Sequence, residues 1–296
     1  MRWASVCGVS DAVAAANKTR TPDRRVIAFA VRLRRSMNTI AYQVPEVWRD
    51  AAAMPRVLAR ATMPLPEMSE VFLWSIDLAS VPTRPMIASL PVHERRRDVQ
   101  WTYRRDFELS LRCRGALRRM LGWHLGAVPR EIEIVAQPGG KPELADNDRD
   151  LHFSVARCGT RALLALGRAP IGVDLVSIRH EFSWRVIARH WFHAREQEVL
   201  DAAAPTEQPG TFFQMWAHKE ACTKAAGASM DQDSMSSFFV PVEGGVAQRP
   251  EKSWQLWHMQ PLTAPAGHRA SLAHQLETPS VTDRSTAFSA VLALGL

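Results

Sequence analysis

The segment Phe212-Phe213-Gln214-Met215-Trp216-Ala217-His218-Lys219-Glu220-Ala221-Cys222-Thr223-Lys224-Ala225-Ala226-Gly227 holds the densest set of chemically useful side chains in the sequence. Read as one helix, it begins apolar and aromatic and then presents Lys219, Glu220 and Lys224. Residues three and four apart are neighbours on a helix, so Glu220 and Lys224 share a face and Trp216 sits one turn earlier on it. Gly227 suits a left-handed cap. A carboxylate flanked by two ammonium groups can hold a metal and a polyphosphate together. The same pattern also fits a surface helix whose Glu→Lys pair contributes about 0.3–0.5 kcal/mol. Trp216 reads as packing behind the site.

A second acid lies upstream, in Ile171-Gly172-Val173-Asp174-Leu175-Val176. Strand alternation puts Gly172, Asp174 and Val176 on one face and Ile171, Val173 and Leu175 on the other. A carboxylate inside so apolar a strand needs an ion, a partner or a network. The competing reading is an Asp at a strand end that caps the next turn.

Taken together, Gly172-Val173-Asp174 and Trp216-Ala217-His218-Lys219-Glu220-Ala221-Cys222-Thr223-Lys224 resemble the paired central motifs of the 4′-phosphopantetheinyl transferases, in particular the Sfp-type branch. Weaker likenesses fall in the expected order. They are Arg114-Gly115-Ala116-Leu117-Arg118, Gly140-Lys141-Pro142-Glu143-Leu144, Leu151-His152-Phe153-Ser154-Val155, and Phe192 with Glu196. The resemblance spans about residues 70–275. It implies two similar α+β halves with the site between them, in a monomer. It implies transfer of the 4′-phosphopantetheine arm of coenzyme A to a serine of an acyl or peptidyl carrier protein, with release of 3′,5′-ADP, as in holo-[acyl-carrier-protein] synthases.

The site residues that the resemblance implies are Asp174 and Glu220 as ligands of Mg²⁺ (Mn²⁺ as an alternative), and Glu220, Lys224 and Asp174 as the catalytic set. For coenzyme A they are Lys141, Pro142, Arg157, Lys219 and Arg114. Two positions depart from the pattern. Relatives often carry a second acid where this chain has Val176, which leaves water to substitute. Relatives often carry S-H-S where this chain has Ala156-Arg157-Cys158, and the planar fork of Arg157 can serve the same 3′-phosphate. These departures motivate the alternative of a degenerate paralogue that binds coenzyme A or a carrier without transferring.

The elements that must position these residues form an α+β pattern with mostly antiparallel sheet. Strands are expected at 71–78, 132–135, 151–155, 162–166 and 171–176, the last two as a β-hairpin across Gly167-Arg168-Ala169-Pro170. Helices are expected at 48–61, 94–125, 182–190, 194–203 and 212–226, and late strands at 236–240, 254–259, 268–273 and 286–294. The expected division is a basic extension over 1–36, a first half over 37–155 and a second over 156–296.

Composition bounds the rest. At 296 residues and 46% apolar content, the chain can bury a sizeable core. Its longest apolar run, Val26 to Val31, is far short of a membrane span. The four cysteines form no C-x-x-C pair and read as reduced thiols, which points to the cytoplasm. Of the net charge of +7, most lies in residues 1–36, with eight basic and two acidic side chains, so the basic pI is poor support for nucleic-acid binding. That extension reads either as an organelle transit peptide or as sequence upstream of a start at Met37. The arginines of 95–119 read as a solvated helix face and a partner surface. His190 and His193 read as structural histidines rather than a zinc pair, and Cys222 as a buried thiol.

Overall fold

Alternation in the first strand leaves two apolar faces to cover: Phe72, Trp74 and Ile76 on one side, Val71 and Leu73 on the other. The computed structural model, which describes residues 64–96, 104–228, 230–247, 256–275 and 279–285, covers both. The strand β1 (Glu70–Asp77) is followed by the short helices α1 (Thr83–Ala88) and α2 (Val92–Arg96) and the long α3 (Arg104–Leu125). Then come β2 (Ile134–Ala136), β3 (Pro142–Leu144), β4 (His152–Cys158), β5 (Arg161–Gly167) and β6 (Ile171–Ser177). Four helices follow: α4 (Trp184–Trp191), α5 (Ala194–Ala202), α6 (Gln208–Ala226) and α7 (Gln232–Ser236). The strands β7 (Gly245–Val246), β8 (His258–Leu262), β9 (His268–His274) and β10 (Ser280–Asp283) complete the order.

The architecture is α+β in four layers. One sheet has the order β10-β1-β5-β4 and a second β6-β9-β8-β7, with a small β2-β3 ribbon beside them. All pairings are antiparallel except β1 with β10. The sheets pack face to face through Val71, Ala156, Leu163 and Ala165 against Ile171, Val173, Leu175 and Leu272. Helix α3 seals the outer face of the first sheet with Leu109, Ala116, Leu117, Met120 and Leu121. Helix α6 seals the second with Phe212, Phe213, Met215, Trp216 and Ala221.

Several expectations are corrected. The hairpin is β4–β5, closed at Cys158↔Arg161 by a turn in which Gly159 has φ +56. Strands β5 and β6, expected to pair, belong to different sheets, because the 168–170 link carries the chain from one layer to the next. Residues 236–240, expected as a strand, begin as the end of α7. The expected 94–125 helix is resolved as α2 and α3, with 97–103 outside the described residues. The expected helix at 48–61 and strand at 286–294 also lie outside them.

The arginine-rich surface is corrected too. Arg118 is buried against Glu94 at 2.5 Å and donates to the carbonyls of Pro129 and Ile132. Arg119 reaches Ser89 Oγ at 2.9 Å, Arg112 the Leu78 carbonyl at 2.8 Å and Arg95 that of Leu90 at 2.9 Å. These side chains staple α1, α2 and α3 together instead of lining a solvated face.

Candidate active site

A glycine decides how closely α6 can lie on β6. A Cβ at Gly172 would stand 2.0 Å from the Ala221 carbonyl oxygen and 2.5 Å from the Ala225 amide nitrogen. With only hydrogen there, and alanines opposite, the helix settles onto the strand. Asp174, two residues further along the same face, is thereby brought under the helix. Lys224 Nζ lies 2.6 Å from Asp174 Oδ1 and 3.8 Å from Glu220 Oε2. Alternation and helical spacing thus converge on one cluster: Asp174, Glu220 and Lys224.

The cluster is nearly dry. Glu220 is fully buried, Asp174 is 3% exposed and the Lys224 side chain is the one that reaches outward, at 18%. Burial, and then the Asp174 carboxylate beside it, push the Glu220 carboxyl well above the usual range; Lys224 and the Trp216 N–H pull the other way. Trp216 Nε1 donates to Glu220 Oε1. The remaining oxygens, Asp174 Oδ2 and Glu220 Oε2, are buried and receive no N–H or hydroxyl donor, and the two carboxyls act on one another. Two orphaned carboxylate oxygens facing one cluster fit a hard cation that takes oxygen ligands and keeps waters. Val176 supplies no third oxygen: it faces the helix side, as alternation predicts, and packs into the apolar core. Among the described residues no group of three or more His, Cys, Asp or Glu side chains could hold a metal, so the candidate cation pair is Asp174 and Glu220 alone.

The helix end is anchored separately. Gly227 caps α6 at φ +65, and the Ala228 amide reaches back to the Thr223 carbonyl at 3.1 Å. Lys141, beside Pro142 at the start of β3, donates to the carbonyls of Ile171 at 3.0 Å and Ala225 at 3.1 Å. One ammonium therefore ties the start of β6 to the last turn of α6. Burial lowers its pKa to about 8, with Glu143 opposing.

Lys219 is placed elsewhere. Its ammonium is fully buried, 3.0 Å from Glu196 Oε2 and 2.6 Å from the carbonyls of Met235 and Phe238. Glu196 also accepts from the Val240 and His193 amides at 2.8 and 2.9 Å. Lys219 thus binds α5 and α7 to α6 and is committed to the core, not to the Asp174 cluster. Arg114 and Arg157 lie on the α3 side of the first sheet, where both act electrostatically on the Cys113 thiol. Arg157 donates to the Gly159 carbonyl at 3.1 Å and stands 4.0 Å from Asp106.

The remaining candidates are structural. His193 accepts from the Arg195 amide at 3.2 Å in a capping box with Glu196. Cys222 is buried and its thiol pKa is pushed up by that burial. Sequence reasoning missed two features. One is the Trp216 N–H on Glu220, which the i, i+4 spacing could have suggested. The other is a buried polar chain behind α6, in which His218 Nδ1 lies 2.6 Å from Ser271 Oγ and Nε2 3.1 Å from the Val242 carbonyl.

Two carboxylates and an ammonium, buried at one end and open at the other, define a class of site suited to a cation and a phosphate-rich substrate. Residues 170–273, which contain the whole cluster, match the family model described as the 4′-phosphopantetheinyl transferase superfamily. Over that segment the chain is similar to that superfamily. It is 28% identical over 198 residues to the 4′-phosphopantetheinyl transferase HetI of Nostoc sp., a match covering 65% of this chain and 83% of that protein. It is 32% identical over 150 residues to slr0495 of Synechocystis sp., whose name places it provisionally among the same transferases; that match covers 49% of this chain and 61% of the relative, so less than two thirds of its length. It is 27% identical over 153 residues to the 4′-phosphopantetheinyl transferase of Bacillus subtilis, over 51% of this chain and 67% of the relative.

Proposed function

We propose that this protein transfers the 4′-phosphopantetheine arm of coenzyme A to a serine of an acyl or peptidyl carrier protein. The observation that carries the reading is the convergence of Asp174, Glu220 and Lys224, with two orphaned carboxylate oxygens, inside the segment that matches the transferase family. The serine Oγ attacks the phosphorus that bears the pantetheine arm. The P–O bond to the bridging oxygen breaks, and 3′,5′-ADP leaves with that oxygen. The serine proton passes to Glu220 or to a water that Glu220 orients.

Each residue has a share in this. Asp174 and Glu220 would hold Mg²⁺ or Mn²⁺, which supplies charge neutralisation at the pyrophosphate when bound. Lys224, the exposed member of the cluster, meets the phosphate oxygens as a point charge. Arg157, Arg114 and the Lys141-Pro142 turn are proposed to shape the nucleotide end. In this reading the protein acts as a cytoplasmic monomer of the holo-[acyl-carrier-protein] synthase type. No described helix is long and apolar enough to cross a membrane.

The test is the intact mass of an apo carrier protein after incubation with the protein, coenzyme A and Mg²⁺. A gain of one phosphopantetheine arm, lost in Asp174→Ala and Glu220→Ala, is the expected result. Coenzyme A binding without any gain across several carrier types would instead favour a binding paralogue, the reading that Val176 motivates.

A further inference from the structure

The cage around Trp216 does more than fill the core. The indole is fully buried and stacks on Phe192 (centroids 6.2 Å apart, 21° between planes) and Phe212 (5.9 Å, 27°), with Trp191 at 6.0 Å on a tilted face. Rings held on several sides cannot turn, so the direction of the indole N–H is fixed by packing alone. That N–H donates to Oε1 of Glu220, one helical turn on. The carboxylate has two oxygens, and holding one in place aims the other. The aimed oxygen is Oε2, which receives no N–H or hydroxyl donor and lies on the side of Lys224, 3.8 Å away.

We infer that Trp216 is a positioning residue: its N–H locks the Glu220 carboxylate so that Oε2, with Asp174 Oδ2, is presented to a divalent cation. This rests on the reading of Asp174 and Glu220 as a cation pair and goes beyond it by naming what orients the pair. Partners that orient a metal-binding carboxylate change metal affinity by about 10–100-fold when removed. The packing contribution of the ring is separable from the N–H, because the two reside on different atoms.

The experiment is Mn²⁺ binding to the full chain, followed by electron paramagnetic resonance without coenzyme A. It compares the wild type, Asp174→Asn, Trp216→Phe and a protein with benzothienylalanine at 216, in which sulfur replaces the N–H. The expected result is a Kd about tenfold or more weaker in both Trp216 variants, with the sulfur isostere still melting cooperatively at a modestly lower temperature. Coenzyme A affinity measured without metal should be unchanged in the isostere, which a general loss of structure would not allow. Should Trp216→Phe fail to fold, the isostere carries the comparison. An isostere that binds Mn²⁺ as tightly as the wild type overturns the inference while leaving the cation pair standing. A wild type that binds no Mn²⁺, or binds it equally well after Asp174→Asn, overturns the pair and the inference together.

Discussion

Lys219 and Glu220 are neighbours in the chain, yet the structure sends them to different partners. Lys219 closes on Glu196 at 3.0 Å, deep in the core, while Glu220 faces Asp174 and Lys224. A helix rotates its side chains by about 100° per residue, enough to separate the Lys219–Glu196 pair from the Asp174, Glu220 and Lys224 cluster. Removing one partner of a fully buried pair leaves a charge with no compensation. Lys219→Met should therefore cost about 3–5 kcal/mol in urea unfolding. Adding Glu196→Gln should return part of that loss. A double variant less stable than Lys219→Met alone would sink this account of the pair.

Gly172 is the hinge between stability and chemistry. A methyl group there meets backbone atoms at 2.0 and 2.5 Å, and backbone cannot swing aside as a side chain does. Gly172→Ala should cost about 1–3 kcal/mol. It should also separate Asp174 from Glu220 and lower carrier transfer by more than the loss of folded protein explains. Thermal melts beside single-turnover transfer rates check both effects. Full activity per folded molecule would show that the close approach of β6 and α6 is dispensable.

Lys224 reaches out from between the carboxylates and is the member of the cluster that can meet a phosphate. Lys224→Ala should lower kcat by about 10²–10³-fold, the range seen when a single group that stabilises transition-state charge is removed. Coenzyme A affinity should change much less, since binding also draws on the nucleotide end. Initial rates of carrier modification, set beside calorimetric coenzyme A binding, separate the two.

His218 gives stability a pH dependence of its own. Burial lowers its pKa from 6.5 to about 4, outweighing the Val242 carbonyl and Glu243. Its Nε2 lies 3.1 Å from the Val242 carbonyl and 3.2 Å from the Gln214 amide nitrogen, and its Nδ1 2.6 Å from the Ser271 hydroxyl. Between pH 6.5 and about 4 the unfolded chain binds the proton and the folded chain does not. The contribution is thus fully present above pH 6.5 and is lost as pH falls to about 4, at up to about 1.4 kcal/mol per pH unit. Glu220 acts in the opposite sense, because its raised pKa makes the folded state the one that gains a proton. The measurement is accordingly a difference: urea midpoints at pH 7, 6 and 5 for the wild type and His218→Gln. The variant should show the flatter loss toward low pH, and parallel curves would rule out His218 as the source.

What could be read from the sequence was local. Alternation around Asp174 and the i, i+4 spacing of Glu220 and Lys224 are short-range facts, and the fold preserves them. The fate of Lys219 was not local, because Glu196, supplied by α5, decides it. The arginines of α3 were misread for the same reason: their acceptors are the Pro85 carbonyl in α1, the Glu94 carboxylate in α2 and the Pro129 and Ile132 carbonyls after α3. Strands β5 and β6 look like a hairpin in sequence, since a Gly-Arg-Ala-Pro link suits a turn. Only the apolar faces of both strands, each needing a sheet to pack against, place them in separate layers. Trp216 was seen as a ring and not as a donor, because packing and hydrogen bonding draw on the same residue type.

Strand β10 brings the far end of the described chain back to its beginning. It runs parallel to β1 from Glu70↔Ser280 to Leu73↔Asp283, with Thr282 Oγ1 donating to Glu70 at 2.6 Å and the Ser75 amide to Ser285 at 2.8 Å. It forms the margin of its sheet, so β1 lies inside rather than at the rim. A protein shortened to residue 275 would keep Asp174, Glu220 and Lys224 in place. It would also bare one side of β1, with Val71 and Leu73 beside unsatisfied amides, which is a template for strands of other molecules. Such a truncated protein would lose solubility before it lost the Asp174, Glu220 and Lys224 cluster.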